Sequence, residues 1–206
     1  MTAPAYWAQA IKELRKKDKI LKAIIDGYKG ETITMRGDAF FTLARSITGQ
    51  QISVKAADSV WNRLAAAAQP MTAKTIANTD ATILRACGLS ASKVIYLHAL
   101  ANHFLENKQQ IKHWPEMEDN EVIKELTSIH GIGQWTAEMF LIFNLARPDI
   151  FPLGDIGLLK AIFRHYNQGE KMPLGDVRAQ GELWKPWRTV ATWYLWRSLD
   201  PVPVEY

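Results

Sequence analysis

The run Leu126-x-x-Ile129-x-Gly131-Ile132-Gly133-x-x-Thr136-Ala137 sets two glycines one residue apart between two helical patterns. Glycine permits tight-turn backbone conformations that are closed to other residues. Such a turn leaves several N–H groups pointing outward at the start of the next helix. With the positive end of the helix dipole they form a small anion site suited to a DNA phosphate. A helix–helix turn that needs glycine only for its shape accounts for the same spacing. Asp155 lies 22 residues beyond Gly133 and directly precedes Ile156-Gly-Leu-Leu, the place of a helix N-cap. Eight tryptophans are many for this length, and flat aromatics with basic charge suit nucleic-acid binding. They fill a helical core equally well, and the pairs Trp184/Trp187 and Trp193/Trp196 stand at the i, i+3 spacing of packed helix faces.

The elements that must carry these residues read as helix after helix. Ile11, Leu14, Leu21 and Ile24–Ile25 recur at helical spacing among Lys12, Arg15, Lys16, Lys17, Lys19 and Lys22, a basic run that reads as a solvated helix face. The stretch 27–37 is turn-rich and holds an extended segment at most. Phe40, Phe41, Leu43, Ala44 and Ile47 share one face, interrupted at Gly49. Ser53 is placed to N-cap a helix over 54–68, Asp80 to start a short helix ending at Gly88, and Ser90 to cap a longer one carrying Val94, Leu97, Leu100 and Phe104. Beyond Trp114–Pro115, Val122, Ile123 and Leu126 begin the helix that runs into the glycine turn. A further helix follows over about 134–146, and the last over about 186–198. No segment alternates convincingly as strands do. The pattern predicts an all-α protein.

The 206 residues suit one domain or two closely packed halves. A net charge of +4, 48% hydrophobic and 22% charged residues describe an ordinary globule. The single cysteine, Cys87, closes no intramolecular disulfide and builds no four-thiolate zinc or iron–sulfur site. Apolar runs such as 139–143 fall far short of the roughly 18 residues a bilayer span requires. A secreted, disulfide-stapled or membrane-embedded protein is therefore not expected. The expected location is the cytoplasm, nucleoid-associated in a bacterium, or the nucleus in a eukaryote.

Taken together, five stretches resemble one family. Leu126–Ala137 is similar to the hairpin of the helix-hairpin-helix DNA glycosylase superfamily, and Phe151-Pro-Leu-Gly-Asp155-Ile-Gly-Leu to its Gly/Pro-rich loop ending in the catalytic aspartate. Ile47-Thr-Gly-Gln-Gln51-Ile-Ser-Val-Lys-Ala-Ala resembles the intercalating-loop segment of the 3-methyladenine DNA glycosylase II branch. Trp184-Lys-Pro-Trp187-Arg, followed by Trp196, resembles that branch's C-terminal signature, and Leu84-Arg-Ala-Cys-Gly-Leu-Ser-Ala-Ser-Lys93 also fits. The resemblance covers residues 38–200 in order. It implies a short form without the additional N-terminal domain of longer members, and one glycosylase unit over 1–206. Within that unit, one helical subdomain over 39–147 would contain the hairpin 126–137. The second would combine 1–38 with 148–206, with a DNA-binding cleft between the two.

The resemblance also implies the chemistry. Alkylation at purine N3 or N7 makes the base a cationic leaving group, so the glycosidic bond breaks with oxocarbenium-like character. Asp155 would stabilise that sugar and orient or deprotonate the attacking water. At about 4 Å and an effective dielectric near 20 the attraction is on the order of 4 kcal/mol, roughly a thousandfold in rate. Bifunctional relatives place a lysine where this chain has Trp135, and no lysine occurs between Lys124 and Lys160. The implied enzyme is monofunctional, without lyase activity. Trp135 and Trp196 match aromatic positions near the pocket for the flipped base, with Phe143 and Met139 completing its wall. Gln51 matches the residue that fills the gap the base leaves. Ser53, His130, Gly131, Gly133 and Thr136 fall on DNA-contacting segments, His130 standing where the family's hairpin has proline. Main-chain carbonyls of Thr127, Ile129 and Ile132 match those that hold a monovalent cation, Na+ or K+; no other cofactor is implied.

The expected function is thus excision of N3- or N7-alkylated purines from double-stranded DNA by a monomer, in base excision repair. A non-catalytic helix-hairpin-helix DNA-binding module, or a glycosylase for another damaged base, are the rival readings. Asp155 discriminates, because a module that only binds DNA has no need of a carboxylate near an anionic backbone.

Overall fold

The computed structural model describes residues 3–199. Among them every regular element is helical. In chain order the helices are α1 (Trp7–Lys17), α2 (Lys19–Gly27), α3 (Ala39–Gly49), α4 (Val54–Ala67), α5 (Ala73–Asn78), α6 (Ala81–Ala86), α7 (Ala91–Glu106), α8 (Lys108–His113), α9 (Asp119–Ser128), α10 (Gln134–Phe143), α11 (Ile156–Tyr166), α12 (Leu174–Glu182) and α13 (Arg188–Arg197). Among the described residues no helix is long and apolar enough to cross a membrane. The described residues form two compact units: 36–140, and 3–35 together with 141–199.

Short polar side chains decide where helices begin. Asp18, Asp38, Ser53, Thr72, Asp80, Ser90 and Asp155 each accept a backbone N–H from the first turn of the helix that follows. Each such cap stabilises by about 1 kcal/mol. The apolar periodicity of residues 11–25 does not make one helix. Asp18 adopts extended backbone (φ −139°, ψ 115°) and turns the chain into α2.

Unit 36–140 is organised around α7, which packs on α3, α5, α6 and α8. Leu97, Leu100 and Ala101 are fully buried there. Trp114 closes this core, meeting Phe104 and Phe140 edge-on at 5.6 and 5.3 Å.

The other unit is built on α13, in which Thr189–Arg197 are all buried. This helix is enclosed on every side, its Thr189, Thr192 and Arg197 included, and α1, α2 and α11 pack against it. Asp18 joins these pieces. One oxygen caps α2, and the other accepts hydrogen bonds from Tyr166 Oη at 2.7 Å and Trp184 Nε1 at 2.9 Å. Burial, and then the Asp18 carboxylate, push the Tyr166 hydroxyl pKa far up. Trp187 donates to Glu13 at 2.7 Å and stacks on Tyr6. Trp184 and Trp193 are core residues, at 0% and 2% exposure.

Candidate active site and nucleic-acid interface

The glycine turn joins α9 to α10, as its spacing predicts. Gly131 has φ +94°, the left-handed region, and a Cβ on it would overlap the ring carbons of Tyr96 from α7. Only glycine satisfies both conditions. Tyr96 meets His130 edge-on, with centroids 4.9 Å apart. Ile129 and Ile132 are buried and anchor the turn, while His130 and Gly133 are exposed. Thr136 is 4% exposed, so its side chain belongs to the packing under the hairpin. The Thr127 hydroxyl donates back to the Ile123 carbonyl within α9, and the Ile129 carbonyl accepts the Ile132 N–H at 3.0 Å.

In the same unit, the loop between α3 and α4 presents Gln51 and Ser53 to solvent. Gln51 stands at φ +58°, a costly conformation for a non-glycine residue. Its neighbour Ile52 is 40% exposed. The Ser53 hydroxyl caps α4 by accepting from Ala56 N–H at 3.4 Å. Two residues hold this loop. Gln50 Nε2 donates to the Gly131 carbonyl at 3.0 Å, and Lys93 Nζ donates to the Thr48 carbonyl at 2.8 Å. Burial pushes the Lys93 pKa down. Trp135, in the first turn of α10, is half-buried, whereas Met139 on the same helix is 2% exposed.

In the other unit, Asp155 is the N-cap of α11 and is only 6% exposed. Its Oδ1 accepts the Leu158 backbone N–H at 2.6 Å and the Trp196 indole N–H at 2.7 Å. Gly157 makes this approach feasible: a Cβ there would lie 3.1 Å from Asp155 Oδ1 and 3.4 Å from Trp196 Cδ1. Trp196 stacks on Phe143 at 6.1 Å and 12°, and both are buried, at 3% and 2% exposure. Of the four side chains expected to wall a base pocket, Met139, Phe143 and Trp196 are thus packed into helical interior. Only Trp135 offers substantial surface.

The segment leading to Asp155 is clamped from α13. Arg188 grips the Asp149 carboxylate through Nε at 2.8 Å and Nη2 at 2.9 Å. The Thr189 hydroxyl donates to the Arg147 carbonyl at 2.6 Å and accepts from Ile150 N–H at 2.9 Å. A bidentate Arg–carboxylate pair fixes both angle and distance. The sequence marked Arg188 as part of a motif but gave Asp149, Thr189 and Gly157 no role.

Among the described residues no group of three or more His, Cys, Asp or Glu side chains is placed to hold a metal ion. The structure therefore gathers a glycine hairpin tied to an exposed glutamine loop in one unit, and a buried, doubly hydrogen-bonded carboxylate in the other.

Residues 44–188 match the family described as HhH-GPD superfamily base excision DNA repair protein. The chain is 33% identical over 185 residues to DNA-3-methyladenine glycosylase 1 of Schizosaccharomyces pombe, a match covering 87% of this chain and 81% of that protein. The crystal structure of DNA-3-methyladenine glycosidase from Bacillus halodurans superposes with a TM-score of 0.84 at 30% identity, covering 96% of this chain and 92% of that one. The Schizosaccharomyces pombe 3-methyladenine DNA glycosylase in complex with abasic DNA superposes with a TM-score of 0.79 at 29% identity, covering 92% and 96%. This chain belongs to the HhH-GPD superfamily of base excision DNA repair proteins.

Proposed function

We propose that the chain is a monofunctional DNA glycosylase that removes purines made cationic by N3 or N7 alkylation from double-stranded DNA. The observation that carries this reading is Asp155, a buried carboxylate held at one oxygen by two N–H donors. Such a group cannot swing toward solvent as charge develops beside it, the preorganisation that electrostatic catalysis needs. The relatives named for 3-methyladenine agree with it.

The hairpin and the loop at Gln51 take the DNA backbone and the gap in the stack, so that the damaged base leaves the duplex. Trp135 presents the indole face against which a cationic base gains about 0.5–2 kcal/mol. The C1′–N bond breaks, its electron pair leaves with the base, and the departing base becomes neutral. Asp155 stabilises the positive sugar until water adds at C1′. The water proton passes to the carboxylate and then to solvent, leaving an abasic site. With tryptophan at position 135 and no lysine from 125 to 159, the chain has no amine there to form a Schiff base.

A monovalent cation at the hairpin suits the main-chain carbonyls of Thr127, Ile129 and Ile132. Ile129, at φ −78° and ψ 124°, ends α9, so carbonyls of its last turn run out of intrahelical donors. The Ile129 carbonyl keeps a second lone pair beside its bond from Ile132. A cation there offsets phosphate charge.

Chromatography of the supernatant from alkylated duplex DNA tests the reading. Free methylpurines should appear while the strand stays uncut until alkali is added. Strand cleavage without alkali, or a Schiff base trapped by borohydride, would contradict monofunctional hydrolysis. Tight, salt-sensitive DNA binding with no base released would contradict catalysis itself.

A further inference from the structure

Gln50 sits beside the residue expected to fill the gap in the stack, yet its side chain points elsewhere. The amide Nε2 reaches the carbonyl of Gly131, 81 residues further along the chain, at 3.0 Å. That carbonyl belongs to the residue whose φ of +94° makes the hairpin turn. The hairpin side of the contact is fixed by the Tyr96 ring against Gly131 and by the buried Ile129 and Ile132. The loop side is fixed by Lys93, whose ammonium caps the carbonyl of Thr48 in the last turn of α3 at 2.8 Å. Directly after these anchored residues, Gln51 stands at φ +58° with its side chain exposed. A left-handed glutamine reverts to ordinary backbone unless its surroundings over-determine it.

We propose that Gln50 is a positioning residue that locks the loop presenting Gln51 to the DNA-binding hairpin. Seating of the hairpin on the backbone and insertion of Gln51 into the stack then occur as one movement. The proposal rests on the glycosylase reading above. It makes Gln50 matter in proportion to the cost of keeping the base out of the duplex. A base that is already unpaired needs less support from the inserted side chain.

The test compares base release from two duplexes carrying the same methylated purine, one with its normal partner opposite and one with an abasic site opposite. Gln50→Ala should lower kcat/KM about fivefold on the paired duplex, the size of one neutral hydrogen bond, and less than about twofold on the unpaired one. In a Gln51→Ala background the further loss from Gln50→Ala on the paired duplex should shrink below about twofold. Gln50→Met, which keeps the side chain's length without its donor, should behave as Gln50→Ala does and serves if the alanine variant does not fold. Equal losses on both duplexes, or losses that multiply fully in the double variant, overturn the coupling. No release by the unaltered protein from either duplex overturns the glycosylase reading and this inference with it.

Discussion

The indole N–H of Trp196 donates to Asp155 Oδ1 at 2.7 Å, a buried bond between the last helix and the residue that starts α11. Trp196 is in turn stacked on Phe143. A tryptophan expected to touch the base thus holds the carboxylate expected to act on it. Trp196→Phe keeps a ring to stack on Phe143 and deletes the donor. It should cost about 2 kcal/mol of stability, as for hydrogen bonds to charged groups, and slow base release about tenfold as the carboxylate loosens. Thermal unfolding and single-turnover kinetics check this. Unchanged stability and rate would show that the bond holds nothing.

The hairpin turn gives a second expectation. Gly131→Ala would force alanine into φ +94° and press its methyl into the Tyr96 ring. The backbone conformation alone costs about 1–2 kcal/mol, and the overlap adds more. Stability should fall by about 3 kcal/mol or more. DNA affinity should weaken in whatever fraction remains folded, as measured by urea denaturation and salt-dependent binding. A fully stable variant with normal affinity would mean that the turn tolerates a side chain.

Gln51 separates stability from activity. Replacing it with glycine relieves a strained φ of +58°, so Gln51→Gly should melt at or above the temperature of the unaltered protein, a gain of up to about 1 kcal/mol. It should nevertheless release less base from paired DNA, because nothing then fills the stack. Gln51→Ala should lose the same activity without the gain. Differential scanning calorimetry beside a base-release assay distinguishes the two contributions.

Much of this architecture was legible in the chain, for identifiable reasons. Ser53, Asp80 and Ser90 cap helices where short polar side chains precede apolar periodicity. Gly131 marks the hairpin because nothing else fits its φ and its neighbour. Short or polar helices were not visible: α5, α8 and α12 carry too few apolar residues to show a period. The helix expected to run to about residue 146 ends at Phe143, where the Arg147 N–H turns back to the Leu141 carbonyl at 2.9 Å and Ala146 takes φ +54°. The last helix begins at Arg188, because Arg188 and Thr189 are engaged with residues 147–150. Around Asp155 the sequence identified the carboxylate but not what holds it. The bond to Trp196 and the grip of Arg188 on Asp149 join residues about forty positions apart. Nothing in local spacing separates Gln50, which bonds to the hairpin, from Gln51, which is exposed to solvent.

His165 introduces a pH dependence with a definite sign. Burial, aided by Arg164, pushes its pKa below the ordinary 6.5, and its Nε2 lies 2.8 Å from the Ser198 hydroxyl. Above that value the imidazole is neutral both folded and unfolded. As pH falls through about 6.5 the unfolded chain takes up the proton first, so this group's contribution to stability is lost on acidification. Urea midpoints measured between neutral pH and pH 5 should fall, and His165→Gln should flatten that part of the profile. An unchanged slope in the variant would assign the acid loss to other groups.

The most direct test of the central claim is base release from methylated duplex DNA by the unaltered protein and by Asp155→Asn side by side. Asparagine caps a helix about as well as aspartate, so the variant should keep its fold, and removing a negative charge should leave DNA binding intact or tighter. Base release should drop about a thousandfold. Equal release by both proteins would contradict the account and leave Asp155 only a helix cap.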